Sequence, residues 1–457
     1  MPGTMPTVHV AGGGLAGCEA ALQLARFGIP SILHEMRPTT PTPAHKGDRL
    51  AEIVCSNSLK STALNTASGV FKSELDGLGC RLLDLARGTA VPAGAALAVD
   101  RELFSAAVEL ALANEPLIEI RREEITSLPV AGDTPWIVAT GPLSSPALLA
   151  SVHQLTGDDG LSFFDAIAPT VTLDSLDLDV LYRAARYDRG EADYLNAAFD
   201  REGYEAFVAA IDAAERADAE TFEKGDLFEG CMPVEEIAAR GRETLAHGPM
   251  RPVGLMDPRT GQRPHAVVQL RQENAAGTLY GLVGFQTRLK WGEQKRVFRM
   301  IPGLEQAEFV RFGQLHRNSY LDTPRTLNKR FALHGAPQLR FAGQLTGVEG
   351  YVESIASGLW TAWSVAAELQ GSELPDLPPT TLIGSLLCGY LFDRTSSRFT
   401  PMNVNFGLLP PLDQSPRGRR GKQLRKELFG ERALDDLGSW LAEPALRGFL
   451  AAAEGQC

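Results

Sequence analysis

An α/β fold interrupted by an inserted α+β domain is predicted, on three observations. The 457-residue chain opens as strand, glycine-rich turn, helix and strand. A second strand–glycine–helix unit comes more than 320 residues later, and between the two lies a stretch rich in strands and basic residues. A length of 457 residues exceeds one compact core, so two domains or more are expected. The expected division is a first segment over 1–160, an insertion over 161–325, and a returning segment with a helical tail over 326–457.

The opening unit runs from the β-branched strand Thr7-Val8-His9-Val10-Ala11 into Gly12-Gly13-Gly14-Leu15-Ala16-Gly17. The helical run Cys18-Glu19-Ala20-Ala21-Leu22-Gln23-Leu24-Ala25 follows, then the strand Ser31-Ile32-Leu33-His34-Glu35. Gly12 makes the tight turn, Gly14 lets a pyrophosphate approach the backbone, and Gly17 lets helix and strand pack closely. The helix N-terminus offers open N–H groups and a positive dipole end. Glu35 lies 35 − 12 = 23 residues past the first glycine, where an acid can accept both hydroxyls of an adenosine ribose. Set between two strands with the acid in register, the glycines mark a Rossmann-type dinucleotide site; a structural glycine turn is the bland alternative.

Further along, residues 48–65 are polar and serine-rich and read as an active-site loop. Asp100-Arg101 opens a helix with Leu103, Ala107, Leu110 and Ala111 on one face. Residues 117–121 and Trp136-Ile137-Val138 read as strands, the latter ending in a turn at Gly141; 144–156 and 200–224 read as helices. Residues 266–271 and 281–286 are strand-like, Pro375, Pro378 and Pro379 mark a linker, and the basic segment 416–422 leads into a helical tail.

The late unit is Leu339-Arg340-Phe341-Ala342-Gly343-Gln344-Leu345-Thr346-Gly347-Val348-Glu349-Gly350-Tyr351 and a long helix. A nicotinamide dehydrogenase needs little beyond the N-terminal fingerprint. Here small residues let a second backbone segment approach a flat ring, and a new helix aims its positive end at anionic groups. In two-domain flavoproteins of the glutathione-reductase type such a segment closes over the pyrophosphate and isoalloxazine, which favours FAD.

Composition narrows the class. The chain is 44 % hydrophobic and 22 % charged, ordinary for a soluble globular protein, and its net charge of −12 argues against an indiscriminate polyanion binder. A local basic groove stays open, because the charges that face the phosphates decide binding. The stretch 382–392 is too short and too glycine-rich to span a bilayer, and no signal peptide is expected before the first strand, so a cytoplasmic protein is expected. The six cysteines, at 18, 55, 80, 231, 388 and 457, show no Cys-x-x-Cys pair and no metal-ligand spacing, so neither disulfides nor a metal is expected. Cys55 sits among polar residues near Lys60, and Cys231 between Gly230 and Pro233 in a turn; both suit a thiolate with access to substrate. The bland reading of either is a small buried hydrophobe.

With these segments assembled, the chain resembles the folate- and FAD-dependent tRNA (uracil-5-)-methyltransferases, the TrmFO family. The likeness rests on Gly12 to Gly17 with Glu19-Ala20-Ala21, His34-Glu35-Met36-Arg37-Pro38, Val54-Cys55-Ser56-Asn57-Ser58-Leu59-Lys60 and Phe228-Glu229-Gly230-Cys231-Met232-Pro233. It continues in Leu289-Lys290-Trp291-Gly292-Glu293-Gln294, Val297-Phe298-Arg299-Met300-Ile301-Pro302-Gly303-Leu304, His316-Arg317-Asn318 and the stretch from Gly343 to Tyr351. Gly13 departs mildly, since alanine is common there.

The resemblance implies 5-methylation of the T-loop uridine of tRNA, with methylenetetrahydrofolate as carbon source, FAD as electron carrier and NAD(P)H to recharge it. It puts the cofactor on Gly12, Gly13, Gly14, Leu15, Ala16, Gly17, Glu35, Met36, Arg37, Gly343, Gln344, Thr346, Gly347, Val348, Glu349, Gly350 and Tyr351. Cys231 is the candidate for attack on carbon 6 of uracil. Cys55 would support the flavin-borne methylene group or assist proton removal. Trp291 and His316 are candidate folate ring contacts, and Arg317 or Asn318 candidate polar ones; a core tryptophan and a surface histidine are the plain alternatives. Arg288, Lys290, Lys295, Arg296 and Arg299, with Trp291 and Phe298, suit phosphate neutralisation and base stacking of tRNA, as does the second basic segment 417–426. No membrane and no obligatory protein partner are expected. The rivals are a wobble-uridine-modifying tRNA flavoenzyme, a small-molecule NAD(P)H:flavin oxidoreductase, and a non-catalytic RNA-binding flavoprotein.

Overall fold

The computed structural model describes residues 5–129, 132–157, 161–188, 191–217, 232–395, 399–414, 416 and 418–454. Its first sheet is six-stranded, in the spatial order Ala332–Leu333, Ala336–Phe341, Trp136–Val138, Val8–Ala11, Ser31–His34, Ile118–Arg121. All neighbours are parallel except the first pair. The opening strand lies at the centre, with Val10 level with both Leu33 and Ile137. Strands buried on both faces read as continuous apolar runs, as Trp136-Ile137-Val138 does with all three residues buried. Residues from both ends of the chain therefore build one sheet, as a Rossmann-type FAD-binding fold requires.

Two helices meet on this sheet. Leu15–Arg26 is buried along nearly its whole length, and the 20-residue helix Tyr351–Gln370 packs against it. The approach is close enough that a Cβ on Gly358 would overlap the Ala16 carbonyl. Polar groups caught in the contact are satisfied: the Trp363 indole N–H donates to Gln23 Oε1 at 3.0 Å. Glu19 accepts from the N–H groups of Arg81 (3.1 Å) and Leu82 (2.9 Å), fixing the start of the helix Arg81–Gly88.

A second six-stranded sheet is antiparallel throughout. Its order is Tyr182–Arg183, Leu195–Phe199, Ala266–Gln272, Leu279–Leu282, Thr170–Thr172, Phe309–Arg311. It has its own apolar cluster, shared with the helices Arg201–Ala213 and Trp291–Phe298 and including Phe207, Phe285 and Phe298. The paired strands Leu161–Ala166 and Leu315–Tyr320 carry the chain into and out of this part. A smaller sheet joins Ser58–Ser61, Ala96–Val99 and Ala90–Val91. Among the described residues no helix is long and apolar enough to cross a membrane.

Four local expectations need correction. In the helix Arg101–Ala113 the buried face is Phe104, Val108 and Leu112, while Leu103 and Leu110 are exposed. Apolar residues lie on two neighbouring stripes there, and the stripe carrying the bulkier Phe104 wins the core. The helix from Arg201 stops at Ala213 because Arg216 pairs with Leu289 and the Ala217 N–H donates to the Arg288 carbonyl at 2.8 Å, so tertiary pairing overrides helix propensity; residues 218–224 lie outside the described chain. The 48–65 segment is not all loop: Ser58–Ser61 is a strand, and Leu50, Ala51 and Ile53 are buried. The strand expected at 281–286 is Leu279–Leu282, ended by a turn at Gly284, whose φ is +78°.

Candidate functional site

The glycine-rich turn behaves as its spacing requires. Gly12 has φ +105°, and a Cβ there would lie 2.5 Å from the Ala139 carbonyl oxygen. A Cβ on Gly17 would overlap the Gly12 carbonyl, whereas one on Gly14 would meet nothing within 4 Å. Gly14 thus presents bare backbone to an open cleft. It is also the N-cap of the helix Leu15–Arg26, which has no side-chain cap and no acid in its first turn. A ligand phosphate would therefore meet a positive helix end without a competing carboxylate.

Glu35 lies at the far edge of this turn. One carboxylate oxygen accepts the Gly13 N–H at 3.0 Å; the other accepts the Arg37 N–H (3.0 Å) and Arg37 Nε (2.9 Å). Burial pushes this carboxyl upward, but the Arg37 pairing outweighs it and holds Glu35 below the ordinary carboxylate value. The Arg37 guanidinium, 4 % exposed, also pairs with Glu52 at 2.8 Å. It therefore orients Glu35 and is not an unengaged phosphate ligand. The cleft enclosed by these groups measures about 1050 Å³ out to its open mouth, solvent included. Gly12, Gly13, Gly14, Leu15, Ala16, Glu35, Met36, Arg37, Gly343, Gln344 and Tyr351 line it, so the two chain ends face each other across one space. Gly17 is absent from that wall because it serves helix packing.

A second cavity adjoins the first, with Val54, Pro142, Leu143, Gln344 and Tyr351 common to both. Cys55, Lys60, Gln286, Asn318, Glu349, Gly350 and Glu353 complete much of its lining. Thr346, Gly347 and Val348 line neither cavity. Thr346 and Val348 are fully buried, and the Thr346 hydroxyl donates to the Gly343 carbonyl at 2.8 Å; they shape the turn and offer no contact from its wall.

Cys55 lines the second cavity, next to Val54, which faces both. The Tyr351 hydroxyl accepts the N–H groups of Cys55 (2.9 Å) and Ser56 (3.1 Å) and donates to Cys55 Sγ at 3.2 Å. Lys60, expected to favour a thiolate, has its Nζ 2.9 Å from Glu353 Oε1. The segment is bracketed by Ala51 and Lys60, both non-glycine residues with positive φ (+52° and +66°), a cost that surrounding contacts must offset. Those contacts are arginines. Arg101 (3.3 Å) and Arg311 (2.5 Å) donate to the Val54 carbonyl, and Arg271 donates to Ser56 Oγ (2.7 Å) and Asn57 Oδ1 (2.9 Å). Arg271 and Arg311 belong to the second sheet, so that sheet grips the Cys55 segment.

The remaining candidates scatter. Cys231 lies outside the described residues; beyond it the Val234 N–H donates at 2.7 Å to the carbonyl of Gln286, on the cavity wall. Asn318 is buried at that wall. His316 and Arg317 lie on the strand Leu315–Tyr320, but their side chains are outside the described set. Trp291 lines neither cavity: it is 56 % exposed and stacks on Phe312 with ring centroids 5.3 Å apart. The basic run is largely paired: Arg288 with Glu236 (2.5 Å), Lys290 with Glu215 (2.8 Å), Arg296 with Glu293 (2.5 Å). Arg299 donates to the Ala307 carbonyl at 2.9 Å, and Lys295 lies over the Phe312 ring. The basic run is thus interleaved with acids.

Residues 7–373 match the sequence model of the family described as Glucose inhibited division protein A. A protein of Desulforudis audaxviator (strain MP104C) is 54 % identical over 436 residues, covering 95 % of this chain and 98 % of its own. One of Rhodospirillum rubrum is 53 % identical over 451 residues, covering 96 % and 93 %. Both are named methylenetetrahydrofolate--tRNA-(uracil-5-)-methyltransferase TrmFO. The chain belongs to the TrmFO family. GidA of Aquifex aeolicus shares the fold, with a TM-score of 0.67 at 15 % identity over 99 % of this chain and 76 % of that one.

For this TrmFO-family chain, sequence reasoning missed Arg101, Arg271, Arg311 and Glu353 at the site. Asp100-Arg101 was visible as a helix start, but nothing local to residues 271, 311 or 353 signals that they meet residues 53–60 in space.

Proposed function

We propose that this protein is a methylenetetrahydrofolate-dependent tRNA (uracil-5-)-methyltransferase of the cytoplasm, acting on the T-loop uridine at position 54 with FAD and NAD(P)H. The observation that carries it is the continuity of the glycine-lined cleft with the cavity holding Cys55. A one-carbon unit at the formaldehyde level needs two electrons to become a methyl group, and bound FAD, once reduced by NAD(P)H, would supply them.

The chain's own residues do the rest. Glu35, locked by Arg37, accepts the ribose hydroxyls; Gly14 and the helix end behind it face the pyrophosphate; Gly343, Gln344 and Tyr351 close the opposite side. Cys231 supplies the sulfur that adds to carbon 6 of uracil and later leaves, which makes carbon 5 nucleophilic. Cys55 supports the one-carbon unit or takes the proton from carbon 5. Asn318, together with Trp291 and His316, belongs to the folate side. Residues 161–325 form the substrate-side domain between FAD-binding segments 1–160 and 326–457, with the basic run from Arg288 to Arg299, in and around the helix Trp291–Phe298, facing tRNA.

The test uses purified protein, unmodified tRNA, methylenetetrahydrofolate labelled in its one-carbon unit, and NADPH. Label is expected in 5-methyluridine at position 54, and Cys231→Ala is expected to remove it. Label elsewhere in the tRNA would point to the wobble-uridine enzymes. NADPH consumption with no labelled RNA from folded yellow protein would leave only a flavin oxidoreductase.

A further inference from the structure

The Tyr351 hydroxyl has one hydrogen to give and two lone pairs to receive. Both lone pairs are occupied, by the N–H groups of Cys55 at 2.9 Å and Ser56 at 3.1 Å. Its hydrogen is therefore directed at the remaining neighbour, Cys55 Sγ at 3.2 Å. Two donors behind a hydroxyl polarise it and strengthen the bond it gives. Tyr351 also opens the helix Tyr351–Gln370, which is anchored in the apolar core, so the donor cannot drift from its acceptor.

We propose that Tyr351, which lines both cavities, is the positioning residue of Cys55: its hydroxyl fixes the sulfur at the wall of the second cavity and steadies negative charge on it. The proposal rests on the methyltransferase reading for its purpose, but not for its test. Burial pushes the Tyr351 phenol well above its ordinary value, and the charge of Cys55 adds to the effect, so the hydroxyl keeps the proton it donates. Several described charged groups near Cys55 have partners of their own. Lys60 is paired with Glu353, Glu349 accepts from Gln344 at 2.6 Å, and Arg101 is paired with Glu273 at 2.9 Å as well as holding the Val54 carbonyl. Arg311 and Arg271 hold Val54 and Ser56. Tyr351 places its donor on the sulfur, at 3.2 Å.

The experiment is the pH profile of Cys55 alkylation by iodoacetamide in the holoprotein, followed on the Cys55 peptide by mass spectrometry. The thiolate is the reacting form. Tyr351→Phe keeps the ring and removes the hydroxyl. Its profile is expected to move up by about one pH unit, a roughly tenfold slower reaction at pH 7. Tyr351→3-fluorotyrosine keeps every contact with a stronger donor and is expected to move the profile down, which preserves the test if the phenylalanine variant does not fold. Profiles unchanged in both variants, or moved by Lys60→Met in their place, overturn the proposal. Because alkylation needs neither tRNA nor folate, a protein that shifts as expected yet methylates nothing defeats the functional reading and leaves this one standing.

Discussion

Glu35 shows how much one side chain does here: it holds the Gly13 amide and the Arg37 guanidinium from a buried position. Glu35→Ala leaves Arg37 buried beside Glu52 alone, and breaking a buried pair costs about 3–5 kcal/mol. The variant is expected to melt lower and to lose most of its FAD on gel filtration; wild-type FAD content would contradict the role given to Glu35. Glu74 predicts a pH effect. Its carboxylate accepts the N–H groups of Leu382 (2.7 Å) and Ile383 (2.8 Å), and burial pushes it up to about 8 from 4.5. Between those values the folded state binds more protons than the unfolded chain, so stability falls as pH rises from 4.5 towards 8. Urea midpoints should decline across that window, and Glu74→Gln should flatten the decline; an unaltered slope would count against it. Residues such as Gly12, Gly14 and Glu35 were legible because their work is done within one turn and one strand. The partner of Cys55 was not, since Tyr351 lies 296 positions away.

At the level of elements, the contact between Leu15–Arg26 and Tyr351–Gln370 joins the two ends of the chain. Gly358 sits against the Ala16 carbonyl, so Gly358→Ala forces the helices apart at the glycine-rich loop. Overpacking of this kind costs about 1–3 kcal/mol, and the loss should appear in the urea midpoint, with weaker FAD retention because Ala16 lines the cleft. A variant as stable as the parent would mean the helices have slack there. The sequence announced both helices through the glycine-rich turns at their starts and the helical runs that follow. It misled where two apolar stripes compete, as in Arg101–Ala113, and where a distant strand captures a helix end, as after Ala213.

Across the whole molecule, the second sheet reaches back to the Cys55 segment through Arg271 and Arg311, while the Arg101–Glu273 pair links the same two parts at 2.9 Å. Arg271→Ala is expected to leave FAD bound but to slow methyl transfer about tenfold or more, because Ser56 and Asn57 lose the donor that holds their loop; unchanged turnover would separate the second sheet from Cys55. The parallel sheet and its insertion could be foreseen from the two glycine units, whereas the arginine clamp depends on packing that no short motif encodes. On the proposed function, the two chain ends close on one FAD beside Cys55. The most direct measurement of this is the flavin content of the purified protein, before and after incubation with FAD. One FAD per chain, retained through gel filtration, is predicted; a folded, colourless protein that takes up none would contradict the account.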